Sequence, residues 1–322
     1  MFLKTFGIYV RGVAMGAADV VPGVSGGTIA FITGIYDQLL TSINNADHIA
    51  LKLLLQFKFK ELFERLNIKF LLPLMLGIAT SILSLAKIIT HLLEKYPEAL
   101  WSFFFGLVLA SSVLVVKEVK QWKPATALTL LAGIVIAYFI VSMSVLQTPN
   151  TLLFTFFSGA IAIVAMILPG ISGSYILLVL DKYRYIIGIV GGIPDGLKGM
   201  FGEAGFVDGF FQAQFHVLSV FAMGCLLGLI SFAKVLRWLL HHYYDITMAS
   251  LTGFMIGSLY KVWPWKEVLE YYTDRHGKEH PLIEANILPH TFDSYFFVCI
   301  GLAVFGFTAV YMIERIAKKV QQ

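Results

Sequence analysis

Apolar stretches separated by short polar breaks run the length of this chain. Six of them, at about 70–93, 99–116, 124–146, 215–240, 246–263 and 293–313, reach or approach the roughly 20 residues that cross a bilayer as a helix. None shows the alternation, in segments of about ten residues, that marks a transmembrane β-barrel. Two further apolar stretches, at about 3–43 and 151–190, are each broken in the middle by one pentapeptide. The first copy is Pro22-Gly23-Val24-Ser25-Gly26 and the second is Pro169-Gly170-Ile171-Ser172-Gly173.

The copies lie 147 residues apart, and the same offset matches residues far outside them. Gly12 falls on Gly159, Tyr36 on Tyr183, Gly77 on Gly224, Lys87 on Lys234 and Gly106 on Gly253. The pattern predicts two repeats, 1–147 and 148–322, in one integrated membrane domain. Each repeat holds a motif-bearing pair of short elements followed by three spans. From Gly170 to the charged Asp181 is eleven residues, roughly 16 Å of helix, or half the hydrocarbon core. The pair is either two full spans or, as this length favours, a re-entrant hairpin with its break near the midplane. Both leave an odd number of crossings per repeat, which would invert the second repeat. The expected fold is an all-α polytopic membrane protein of two inverted-topology repeats. The stretch 265–291, with two prolines and alternating charges, reads as a solvated loop, and the glycine-rich 191–214 as a surface one.

Composition agrees with this pattern. Of 322 residues, 58% are hydrophobic and 14% charged, where a soluble domain carries about 25% charge. The net charge of +4 belongs to the connecting segments, and it speaks for topology and lipid-surface contact rather than nucleic acid. Fourteen Lys and Arg on one side against eight on the other place both termini in the cytoplasm. Cys225 and Cys299 both fall in apolar stretches and read as core residues. No spacing suggests a metal site, and no cofactor is expected beyond a possible coupling proton or ion. The N-terminal stretch has the look of a secretory signal, but the same element recurs inside the chain.

Candidate chemistry centres on the repeated pentapeptide. Pro22, Gly23, Pro169 and Gly170 would break helices, and backbone groups freed inside a bilayer must be satisfied or line a cavity. A helix restarting after the break presents free amides, which favour an anion. Gly26, Gly27 and Gly173 allow close backbone approach, and Ser25, Thr28, Ser172, Ser174 and Tyr175 supply hydroxyls. Two such loops brought together would form a central site for an anionic headgroup. The competing reading of the motif is close helix packing. Arg11 and Asp19, two turns apart in an apolar arm, are costly facing lipid. Arg11 is a candidate anion contact and Asp19 a candidate proton carrier, with a structural pair as the alternative. Lys87 and Lys234 are expected to snorkel, Lys182 and Arg184 to anchor at the surface, and His91, His241 and His242 to meet the interface.

The blocks GAADVVPGVSGGTIAFITGIYDQLL, at 16–40, and AMILPGISGSYILLVLDKYR, at 165–184, resemble the PopT-type polyprenyl-phosphate (undecaprenyl phosphate) translocase family, formerly a domain of unknown function. The resemblance covers most of the chain. It implies a bacterial plasma-membrane flippase that returns undecaprenyl phosphate to the cytoplasmic leaflet for peptidoglycan and other cell-envelope synthesis, with paired re-entrant helices in inverted repeats. Two other functions fit the residues. A transporter of a small soluble anion would use the same broken helices. An undecaprenyl-pyrophosphate phosphatase would carry an arginine after the motif serine, where this chain has Gly26 and Gly173, so transition-state charge would lack its partner.

Overall fold

The computed structural model describes residues 2–19, 25–143, 146, 148–191, 214–273, 279–289 and 292–321. The chain is mostly helical. The first half contains α1 (Phe2–Asp19), α2 (Gly26–Ile32), α3 (Tyr36–Asn44), α4 (His48–Leu55), α5 (Phe59–Arg65), α6 (Ile68–Lys95), α7 (Pro97–Val116) and α8 (Pro124–Ser142). The second contains α9 (Leu152–Ile167), α10 (Gly173–Val179), α11 (Tyr183–Gly191), α12 (Phe215–His242), α13 (Tyr244–Ser258), strands β1 (Lys266–Thr273) and β2 (Glu279–Asn286), and α14 (Ser294–Gln321).

Element bounds recur at the sequence offset. Gly26–Ile32, Tyr36–Asn44 and Ile68–Lys95 each reappear 147 positions on, as α10, α11 and α12. Backbone irregularities recur with them. Gly34 and Asp181 both have positive φ after the short helices, as do Asn67 and Gln214 before the long ones. Tyr96 and Tyr243, which join α6 to α7 and α12 to α13, share φ near −139° and −134°.

The packing repeats too. Helix α1 lies on α6 as α9 lies on α12, while α7 pairs with α14 and α8 with α13 across the halves. Glycines set these crossings. A Cβ on Gly12 would sit 2.2 Å from the Leu74 carbonyl oxygen, and one on Gly77 2.2 Å from that of Tyr9. The same contacts appear 147 residues later, Gly159 against Phe221 and Gly224 against Phe156. Gly106 meets Ala303 as Gly253 meets Leu130. Backbones this close gain dispersion contact that larger side chains would forbid.

Among the described residues five helices, within α6, α7, α8, α12 and α14, are long and apolar enough to cross a membrane. Large apolar side chains remain exposed along them, among them Leu83, Leu128, Phe139, Leu226, Phe297 and Phe305. An apolar surface of that extent fits lipid, not water. Helix α7 is the most enclosed of the five. The sixth expected span, at about 246–263, is shorter: α13 stops at Ser258 and turns follow. The hydrophobic core gathers around α2 and α3, with Ile29, Ala30, Tyr36 and Leu40 packed among Phe70, Leu74, Trp101 and Phe104. Beside it, α4 and α5 are braced by an ion pair of 2.6 Å from Arg65 to Asp47.

The expected solvated loop at 265–291 is instead an antiparallel hairpin, so the chain is not wholly α-helical. Lys261 and Lys266 both bond Glu284, at 3.2 and 3.1 Å. The Lys266 ammonium also lies 4.0 Å from the centroid of the Trp101 ring. Burial pushes Lys266 down to about 8, while Glu284 stays below its ordinary range because the two lysines outweigh the burial that raises it. The apparent solvent signal of the alternating charges arises because these charges pair with one another and with an aromatic face. The expected surface loop at 191–214 lies almost wholly outside the described residues.

Gly77→Ala should lower stability by about 1–3 kcal/mol, through a forced separation of α1 and α6. Gly301, whose Cβ would meet nothing within 4 Å, is the control. Thermal unfolding in detergent compares the two alanine variants, and equal midpoints would contradict the packing described.

Candidate functional site

The break after α9 brings the two copies together. Helix α9 ends at Ile167, and Pro169, which has no N–H and cannot continue the ladder, follows two residues later. The last carbonyls of a helix have no partner within it. Here the first copy supplies partners. Ser25 Oγ donates toward the carbonyls of Met166 and Leu168, at 3.1 and 3.3 Å. Tyr36 Oη donates to the Ile167 carbonyl at 2.9 Å. In the other direction, the Gly170 amide donates to Thr28 Oγ1 at 3.1 Å. Ser25, Thr28 and Tyr36 are all buried, so these bonds form away from solvent.

Glycines make the approach possible. A Cβ on Gly27 would lie 2.7 Å from the Ile167 oxygen, and one on Gly173 2.6 Å from that of Ala162. Gly170 needs both kinds of freedom: its φ is +91°, and a Cβ there would press on Met255 and Ser258 of α13.

The amides that open α2 are already engaged. Ser25 is the N-cap and accepts from Gly27 N at 3.1 Å. Asp19, at the end of α1, accepts from Gly26 N at 2.7 Å. The repeat equivalent of Asp19 is Met166, so this carboxylate contact belongs to the first copy. In the second copy Ser172 caps no amide with its side chain and is paired with Ser174 at 2.8 Å between hydroxyls. Pro169 is buried in the turn. Pro22 and Gly23 lie outside the described residues.

Arg11 is half-buried on α1. Among the described residues no ion pair joins it to Asp19. Lys182, expected at the surface, is fully buried, and this corrects the expectation. Its ammonium donates to the carbonyls of Thr148 and Pro149, at 2.9 and 2.8 Å, and to Asn150 Oδ1 at 2.6 Å. An ammonium satisfied by three oxygens can leave water. Together with Leu146 N donating to the Val179 carbonyl, it straps the linker between the halves to the end of α10. Lys234, His91, His241 and His242 are exposed, and nothing is described of the Lys87 side chain.

Three participants take roles that the sequence reading did not give them. Tyr36 was visible only as a match to Tyr183. Tyr175, which donates to the Val141 carbonyl at 2.8 Å, adjoins the second motif without belonging to it. Lys182 looked like part of a charged end. In each case backbone carbonyls are among the partners, which no residue type announces.

Comparison with known proteins spans both motif copies. A family model described as undecaprenyl phosphate translocase-like matches residues 15–280. A polyprenyl-phosphate transporter of Vibrio cholerae is 42% identical over 97% of this chain and 96% of its own. A polyprenyl-phosphate transporter of Staphylococcus aureus is 30% identical over 79% of this chain and 85% of its own. No solved structure matches the chain.

Tyr36→Phe leaves the Ile167 carbonyl buried without its donor and should destabilise the protein by about 1–3 kcal/mol. Tyr9→Phe, distant from the break, is the reference for loss of a tyrosine hydroxyl. Melting in detergent checks this, and equal midpoints for the two variants would contradict the role given to Tyr36.

Proposed function

The chain belongs to the undecaprenyl phosphate translocase-like family, and from that premise we propose that it carries a polyprenyl phosphate, undecaprenyl phosphate foremost, across the bacterial plasma membrane. Such a flippase returns the lipid carrier to the cytoplasmic leaflet for cell-envelope synthesis. The transporters of Vibrio cholerae and Staphylococcus aureus support the substrate class. The observation that supports the location is the bonded meeting of the two motif copies through Ser25, Thr28 and Tyr36.

In this reading the structure is one end state of an alternating-access cycle. The halves are inverted repeats, the motif pairs are re-entrant, and both termini are cytoplasmic. As the halves rock, the seam between the copies opens. The hydroxyls of Ser25 and Thr28 then exchange protein partners for phosphate oxygens, and Ser172 and Ser174 do the same from the second copy. Arg11 supplies the countercharge in the apolar arm. Asp19, released from the Gly26 amide, takes up a proton. The polyprenyl tail stays in lipid, against the apolar faces of the long helices. No chemical bond is made or broken. In this state the Ser25 hydroxyl donates to backbone carbonyls, and no arginine follows either motif serine, which supports transport over hydrolysis.

Proteoliposomes loaded with labelled undecaprenyl phosphate test the reading. The intact protein should equilibrate the label between leaflets, and Arg11→Ala should slow this by roughly tenfold, as expected for loss of one charged contact. Absence of flipping together with uptake of inorganic phosphate would replace the lipid by a soluble anion. Phosphate release from undecaprenyl pyrophosphate would make the protein an enzyme.

A further inference from the structure

The scaffold repeats, but its charge does not. Past the end of α13, Lys261 N bonds the Ser258 carbonyl at 2.9 Å, and Ser258 is one of the side chains that crowd Gly170. The Lys261 ammonium lies 5.0 Å from the ring centroid of Tyr175 on α10. Lys266, on β1, lies over Trp101. Both ammoniums bond one oxygen of Glu284, Oε2. Among the described residues this sets two ammoniums against one carboxylate, with Lys261 next to the second motif. The offset puts Leu114 opposite Lys261, and Lys266 and Glu284 lie in the hairpin, which the first half lacks among its described residues. The first half has lysines of its own past α7, with Lys117 on Tyr311 and Lys120 over Tyr244, so what is particular to the second half is the pairing of two ammoniums on one carboxylate. It is reachable from the Lys261 side: the side chains of Lys261 and Glu284 keep about a fifth of their surface exposed, 20% and 19%, while Lys266 keeps 7% and stands behind them.

We propose that Lys261 and Lys266 form a capture site for a phosphate monoester, with Glu284 as the built-in anion that holds the lysines in place until the phosphate arrives. A phosphate monoester carries close to two negative charges near neutral pH. It matches two ammoniums where one carboxylate does not. Each lysine has three donors and spends one on Glu284, so further donors remain for phosphate oxygens. Lys261 joins this site to α10 through Tyr175, next to the motif seam. A headgroup captured here stands at the entrance to the second copy, on one face of the protein only. The inference rests on the transport reading and adds to it the side from which the headgroup is taken.

The test uses the full chain in detergent micelles, titrated with farnesyl phosphate, farnesol and inorganic phosphate, with binding read from tryptophan fluorescence. Lys261→Gln should weaken farnesyl phosphate by roughly tenfold to a hundredfold, the value of one charge-assisted contact, and leave farnesol unchanged. Lys261→Arg should restore affinity. Glu284→Gln should bind farnesyl phosphate at least as tightly as the intact protein, because it removes a competing anion. Competition by inorganic phosphate would identify the free anion as a ligand, and its failure to compete would identify the lipid headgroup; both outcomes keep the site. A purely structural ion cluster gives a different pattern: Lys261→Gln and Glu284→Gln both lower the melting temperature and neither changes affinity, which overturns the proposal. Unchanged affinity in Lys261→Gln alongside normal flipping by the intact protein would remove the capture site and leave the transport reading. Loss of flipping in the intact protein would remove the transport reading itself.

Discussion

Backbone groups freed at a helix break inside a bilayer must find partners within the protein, and that requirement shapes the centre of this molecule. The break at Pro169 frees the carbonyls of Met166, Ile167 and Leu168 and the amide of Gly170. Side chains of the other half, Ser25, Tyr36 and Thr28, take them up. The break is thus both the weak point of one half and the place where the halves are joined. Broken helices allow a polar centre in an apolar protein. The glycines at Gly27, Gly170 and Gly173 let the backbones approach closely enough for short bonds to form.

Around that centre the frame is duplicated down to single contacts. Gly12 and Gly77 hold α1 to α6 as Gly159 and Gly224 hold α9 to α12, and α7 and α13 cross the last helix of the opposite half. Two similar pairs are thus joined at a hydrogen-bonded seam. The halves differ in their charges. Asp19 stands opposite Met166, Lys182 opposite Ile35 and Lys261 opposite Leu114. Under the proposed transport these unmatched charges are where the two sides of the membrane would be told apart.

Much of the frame was legible in the sequence, because steric rules leave marks on residue type. A glycine is needed wherever two helix backbones touch, so Gly12, Gly77 and Gly106 and their matches stood out at the offset of 147. The break residues stood out for the same reason. Side chain to backbone bonds leave no such mark. The pairing of Ser25 with two carbonyls across the halves, the strap around Lys182 and the donation by Tyr175 depend on which backbone groups happen to be orphaned nearby. The hairpin was missed on another ground. Lys266 and Glu284 read as solvated charges because each is ordinarily exposed when alone. Neutralised by one another and stacked on Trp101, they instead cover the end of α7.

The central claim is that the seam between the motif copies opens during transport. Cysteines placed at Ile29 and Leu168, which share one apolar cluster across the seam, with Cys225 and Cys299 replaced by alanine, can be joined by a short cleavable thiol cross-linker in proteoliposomes. If the seam must part, the cross-linked protein will not flip labelled undecaprenyl phosphate, and cleavage of the linker will restore flipping. Full flipping by the cross-linked protein would contradict the account.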